Sequence, residues 1–509
     1  MSNQMVVQST AGPLSDEVRT SPADQYQYSF RRRIVWVVVL IPILILGYLL
    51  WYFKRDKPVE HADMVAHFKY GSIGSELGGS LFSTVGGVLP PYWVFRTLPA
   101  VCPEKLPGGY TSLGLIYEPG QDLPIGVSRR KRLGMEQVGL NCAVCHTGTV
   151  RQTSTSEAKI VVGMPAHQLD LEGLFQFVLD CSLDERLTAD SVIAKADAMG
   201  GRMGWMEKLL YRATVIGRVK AATVVLRNRI GPLLDGSVPR WGPGRVDTFN
   251  PYKSLQFNWR LDQLPHNELI GAADFPSLWN QEPREGMHLH WDGNNTSVDE
   301  RNLSASLGAG VTPVTVDHQS LKRIHDYIWT LPPPAYPFDI NKASADRGKP
   351  IYEHECAECH SFGARKTGQV EDIASIGTDR YRLDSYTYLF ATSQAALYPA
   401  SDYRFKHFQK TNGYANQPLD GVWARAPYLH NGSVPALRDL LEEPEKRPKQ
   451  FIRGYDVYDQ ERVGFVSGVK NPGFLYDTTV PGNGNSGHLF GTKLADDQKR
   501  DLVEYLKTL

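Results

Sequence analysis

Cys142-Ala-Val-Cys145-His146 and Cys356-Ala-Glu-Cys359-His360 are the two stretches that decide the reading of this chain. Each is a CxxCH motif, the attachment signature of c-type haem. The spacing is chemical: two thiols add to the two vinyl groups of one porphyrin, and the adjoining histidine offers an imidazole to the iron from the same turn. At this composition chance gives about 0.002 such motifs in a chain of this length, so two are not accidental. A single zinc site built from both CxxC pairs is the competing reading. It is weak, because the pairs lie more than 200 residues apart and each is followed by histidine. Covalent haem attachment takes place outside the cytoplasmic membrane, which places the bulk of the chain in the periplasm or its equivalent.

Upstream of the first motif, Ile34 to Phe53 holds no charged residue. Twenty residues of helix reach about 30 Å, enough to cross a bilayer core. Arg31, Arg32 and Arg33 precede the run, and Lys54, Arg55 and Lys57 follow it. Trp36, Trp51 and Tyr52 stand near its ends, where amphipathic rings favour the headgroup level. Pro42 and Gly47 are tolerated inside such a helix. The run exceeds a signal-peptide core and lacks a small-x-small site after it. A short cytoplasmic tail, residues 1–30, and a single anchor, residues 31–55, are therefore expected at the cytoplasmic membrane.

Lys plus Arg and Asp plus Glu both number 55, so the net charge is zero. That balance excludes a broad basic footprint for nucleic acid. Six cysteines among 509 residues are too few for a disulfide scaffold. The two outside the motifs, Cys102 and Cys181, can pair in an oxidising compartment or remain buried thiols. A weak repeat follows the motifs: each is closed by a helix, Asp317 to Leu331 and Asp496 to Leu509, with similar endings. Pro332-Pro-Pro334 stops the first of these, which makes 331–338 an interdomain linker. The expected fold is mainly α, with two c-type cytochrome domains and long loops behind one transmembrane helix. The expected boundaries are 56–338 for the N-terminal haem domain and 339–509 for the C-terminal one. A helix over 343–355 leads into the second motif. The Gly-, Pro- and Asn-rich stretch 230–300 reads as loops with little strand periodicity.

Over roughly residues 85–509 the sequence resembles the bacterial di-haem cytochrome c peroxidase superfamily. That group includes the di-haem enzyme that matures methylamine dehydrogenase, and the rubber oxygenases. The resemblance rests on Asn141-CAVCHTG-Thr149, Gly163-MPAHQLD-Leu171, Phe275-PSLWNQ, Leu289-HWDGNNTSVDERN-Leu303, Pro418-LDGVWARAPYLHNGSVPAL-Arg438 and Asn485-SGHLFGTKL. It implies two covalent haems, an N-terminal one that meets peroxide or O2 and a C-terminal one that carries electrons. It also implies a donor or acceptor cytochrome, or a quinone-pool protein, as partner. The peroxidase pattern departs in one place. Where peroxidases carry a Gln and, ten residues on, a Glu for proton handling, this chain has Arg301 and Val311. Without that acid O–O cleavage is poor, whereas an apolar pocket suits O2.

His146 and His360 are the proximal ligands by motif, with Cys142, Cys145, Cys356 and Cys359 as attachment points. For the far side of the second haem the candidates are His430 and His488. The resemblance to a bis-histidine haem of rubber oxygenases favours His488 and leaves His430 a supporting role. Met164 and His167 can reach the first haem, although packing roles suit an open site. Trp279 and Trp291 are candidates for an aromatic path between haems, and His288 and His290 for pocket lining. Three function classes follow: an oxidoreductase with an open N-terminal haem, a non-catalytic di-haem electron carrier, and a haem sensor on a stalk. The long segment between first motif and linker favours the enzyme, and 30 residues before the anchor are too few for a signalling domain.

Overall fold

The computed structural model describes residues 22–54, 57–78, 89–132 and 134–509. The expected cytoplasmic tail falls outside the described residues up to position 21. Chain contacts divide between Arg55 and Asp56 into two units.

The described residues of the first unit form one helix, Pro22–Lys54, with Pro42 inside it. Its apolar side chains face outward, Leu44 at 67% and Val38 at 63% exposure. Among the described residues no helix is long and apolar enough to cross a membrane; the described side chains of this run begin at Val35 and stop at Trp51, short of the full Ile34–Phe53 stretch.

The second unit, Asp56–Leu509, contains both haem motifs. The expected boundary at 338/339 lies inside it, and the linker shows why. Leu331, Tyr336 and Phe338 pack into the cluster of Trp423, Tyr428 and Tyr458, and the Trp423 indole donates to Pro334 O at 2.8 Å. A proline-rich segment can stop a helix and still be fastened along its length, because its carbonyls remain acceptors.

Helices dominate, and among the described residues six small antiparallel sheets accompany them, one of three strands and five of two. Strands Arg245–Asp247 and Ala272–Asp274 pair within the stretch expected to be loops. Three-residue strands leave no readable alternation, and pairing satisfies backbone groups that burial would otherwise orphan. Two hairpins bracket the first motif: Val127–Arg132 with Met135–Leu140 before it, and Thr147–Val150 with Lys159–Val162 after it.

Both closing helices form. His318–Thr330 is capped by Asp317, whose side chain accepts from Ser320 N. It buries Leu321, Ile324 and Ile328 on one face and meets helix Met64–Tyr70 through Phe68 and Tyr327. Lys342–Glu355 runs into the second motif and is crossed by the closing helix Asp496–Leu506. The crossing needs glycine: a Cβ on Gly348 would sit 2.0 Å from Asp501 O. Arg347 pairs with Asp501 at 2.7 Å beside it. Cys102 and Cys181 form a disulfide, Cα atoms 6.1 Å apart, which resolves the two sequence alternatives.

Candidate haem sites

Cys142–Val144 make a single tight turn, entered through Asn141. The Asn141 carboxamide accepts from Ala143 N at 2.9 Å and donates to Gly71 O at 3.0 Å, so the turn is fixed at its start. The loop before it lies so close that a Cβ on Gly126 would fall 2.2 Å from Val144 Cα. Burial pushes the Cys142 thiol up to about 11 and the Cys356 thiol up to about 12, so both are neutral at pH 7.

The two motif histidines are held in the same way. His146 Nδ1 donates to Pro276 O at 2.8 Å; His360 Nδ1 donates to Gln417 O at 2.7 Å. A carbonyl can only accept, so each Nδ1 carries the proton and each Nε2 keeps its lone pair. This is how protein carbonyls orient a metal-binding imidazole. Burial lowers the His146 pKa to about 4, with the Arg301 guanidinium adding to it against the Pro276 carbonyl. Burial lowers that of His360 as well.

Beyond this the two sites differ. The His488 ring faces His360, ring centres 6.3 Å apart. Two metal–nitrogen bonds of about 2 Å, with about 1 Å from each nitrogen to its ring centre, would fit that spacing. Burial, then His360 and Arg447, lower the His488 pKa to about 3, which keeps the ring neutral. The backbone around it is unusual: His488 has φ +47° and Gly487 φ +75°. A Cβ on Gly487 would lie 2.4 Å from Gly377 C. His488 N donates to Ile376 O at 2.9 Å. Arg447, 2% exposed, spends its donors on carbonyls alone: Glu442 and Leu440 on one side, Asn485, Gly487 and His488 on the other. It therefore fastens the His488 loop to the rest of the unit. No second imidazole faces His146 among the described residues.

His430 is placed elsewhere. Tyr414 OH donates to Asp379 O at 2.7 Å and lies 3.0 Å from His430 Nε2, so His430 is the donor to that hydroxyl and its ring stacks on Tyr414 at 4.0 Å. His167 Nε2 bonds Thr149 O at 2.9 Å and stacks on Phe465; Met164 is fully buried in the Trp279 cluster. His288 Nδ1 donates to Gly293 O at 2.8 Å. Val311 is fully buried, in the cluster that also receives Cys142.

Trp279 stands between the two histidine supports. It lies three residues beyond Pro276, and its indole donates to Asp420 O at 2.9 Å, three residues beyond Gln417. A hydrogen-bonded route thus runs from His146 through 276–279 to 417–420 and His360. Trp291 makes a second connection: its indole donates to Asp274 O at 2.8 Å, two residues before Pro276, and its carbonyl accepts from Ala415 N at 2.8 Å, two residues before Gln417.

The sequence reading missed Arg447, and gave His290 only the pocket-lining role it shared with His288. His290 has φ +62°, its Nδ1 is 2.6 Å from Asn294 Oδ1, and burial lowers its pKa to about 4. Neither residue carries a motif; the φ value and the carbonyl cage exist only in the fold. Among the described residues no group of three or more His, Cys, Asp or Glu side chains can hold a metal ion, so the CxxC pairs do not converge on a zinc site.

Residues 413–452 match a family described as RoxA-like, cytochrome c-like. The match spans Gln417, Trp423, His430 and Arg447 and supports haem c binding by this part of the chain. Two curated relatives are similar, both from Sinorhizobium fredii. The uncharacterized protein y4iM is 34% identical over 284 residues, which covers 46% of this chain and 64% of that protein. The uncharacterized protein y4iJ is 27% identical over 508 residues, covering 79% of this chain and 82% of that protein.

Proposed function

We propose that this protein is a di-haem c-type oxidoreductase held at the cytoplasmic membrane by one helix, with its bulk in the periplasm. The N-terminal site, on His146, takes peroxide or O2; the C-terminal site, on His360 and His488, passes electrons to or from a cytochrome or a quinone-pool protein. The observation that carries this reading is the asymmetry of the two histidines. Both present an oriented Nε2, but only His360 has a second imidazole at the spacing of two metal bonds. An iron with an open position coordinates an oxidant, whereas one ligated on both faces exchanges electrons.

The remaining roles belong to this chain's own groups. Pro276 O and Gln417 O fix the ring orientations and raise ligand basicity. Trp279 supplies the connection between the sites. Val311 leaves no acid at the place where related peroxidases carry one, which favours O2 over peroxide. The uncharged Ile34–Phe53 run and the outward apolar side chains of its helix support the anchor.

The test is the spectrum of the resting protein. One high-spin and one low-spin haem are expected; two low-spin haems overturn the enzyme in favour of an electron carrier. Fast peroxide turnover with reduced cytochrome c, in place of O2 uptake, decides for the peroxidase.

A further inference from the structure

Three guanidinium groups converge on Trp279, and two of them share one carboxylate. Arg284 donates to Trp279 O at 3.5 Å and pairs with Asp420. Arg425 lies over the Trp279 ring, 5.5 Å from its centre, and pairs with the same Asp420 at 3.0 Å. Arg301 reaches the same place through Gln281: it donates to Gln281 Oε1 at 2.6 Å, and Gln281 donates to Trp279 O at 2.7 Å. Its other partner is Asn302 Oδ1 at 2.7 Å. Among the described residues no ion pair joins Arg301. All three are buried: Arg284 and Arg301 are 5% and 9% exposed, and the Arg425 side chain is 14% exposed.

Three buried cations against one anion is an expensive arrangement, because a buried charge is stable only when paired. Neutral carboxamides satisfy donors without cancelling charge. Arg425 keeps one further sign of an unmet partner, a buried Nε with no acceptor. The excess is divided between the two sites. Arg301 lies on the helix Val298–Gly308, whose Leu303 and Leu307 share a cluster with Cys142 and Ala143, and Arg425 donates to Pro418 O at 2.8 Å, next to Gln417, whose carbonyl holds His360. Arg284 lies between, its guanidinium over the Phe362 ring two residues past His360.

We infer that Arg301 and Arg425 are carboxylate-binding residues, each holding the propionates of the haem in its own site, with Arg284 and Asp420 fixing the geometry between them. This rests on the di-haem reading proposed above. Each c-type haem brings two propionate carboxylates, so two haems supply the anions that the protein side lacks. The planar, two-pronged guanidinium suits a carboxylate better than lysine does. The arrangement turns the acidic edges of both haems toward Trp279. It also makes each arginine a separate control on one potential. A propionate left unpaired stabilises the more positive, ferric state and lowers the midpoint of that haem alone.

The experiment is a spectroelectrochemical titration of the full-length haem-loaded protein and of Arg301→Gln, Arg301→Lys and Arg425→Gln, with surface Arg186→Gln as control. Haem stain after denaturation first counts the attached groups; fewer than two in the wild type refutes the di-haem reading independently of the inference. With two attached, Arg301→Gln is expected to raise the ferric-to-ferrous ratio of the high-spin haem about tenfold at fixed potential, about 59 mV downward for one electron. Arg425→Gln should do the same to the low-spin haem only. Arg301→Lys should recover part of the shift, which separates charge from folding damage. Unchanged midpoints, or equal shifts of both haems in either variant, overturn the inference. So does a tenfold loss of azide affinity in Arg301→Gln at unchanged midpoint, which assigns that guanidinium to an external anion.

Discussion

Replacing Arg447 with methionine tests how the second site is held together. The side chain fills similar volume but offers no donor, so three carbonyls in the His488 loop, those of Asn485, Gly487 and His488, lose their guanidinium partner. Hydrogen bonds to a charged group contribute about 1.5–3 kcal/mol each. One bond at the lower figure shifts the loop about tenfold toward a released state; all three at that figure shift it roughly a thousandfold. The proposed iron–imidazole bond would oppose release, so the readout must detect a ligand that comes off transiently. The assay is CO binding to the reduced protein, together with the low-spin signal of the oxidised one. The wild type should bind CO at one haem. Arg447→Met should bind it at both, with the second slower than in His488→Ala, and Arg447→Lys should fall between. If Arg447→Met keeps one CO site and a full low-spin signal while His488→Ala gains the second site, the guanidinium does not hold the loop. If His488→Ala also changes nothing, His488 is not the ligand.

Three other expectations follow from particular contacts. The Cys102–Cys181 bridge closes a separation of 79 residues, for which loop closure gives about 4 kcal/mol; the double Ala variant should unfold at lower denaturant, and an unchanged midpoint counts against the bridge. Trp279→Phe keeps the ring and removes the donor to Asp420 O; electron transfer between the sites after a reductant pulse should slow while both absorption spectra stay fixed, and an unchanged rate removes Trp279 from the route. Burial, with Glu136 adding to it and Lys131 opposing, raises Glu207 from 4.5 to about 7. Its folded pKa exceeds its unfolded one, so the protonated side chain favours the fold below about pH 4.5 and that contribution is lost as pH rises through about 7, up to about 3 kcal/mol. Glu207→Gln should flatten the fall in denaturation midpoint between pH 5 and pH 8; an equal fall in both proteins refutes the assignment.

The sequence by itself determined the chemistry that lies in adjacent residues. Cys142, Cys145 and His146 act from one turn, and Cys356, Cys359 and His360 from another, so spacing alone reveals them. The closing helices were legible for a similar reason: Leu321, Ile324 and Ile328 recur on one face within a single element. Gly348 could not be read this way, because what it makes room for is Asp501 O, more than 150 residues away in sequence. Residue spacing does not separate His488 from His430; the family resemblance favoured His488, and the tertiary structure turns it toward His360 and ties His430 to Tyr414. The carbonyl cage of Arg447, the positive φ of His290 and the three guanidiniums around Trp279 likewise depend on segments brought together by burial. Short-range covalent chemistry writes a local signature, whereas charge balance and ligand orientation are properties of the enclosed volume, and that volume exists only after the chain has packed.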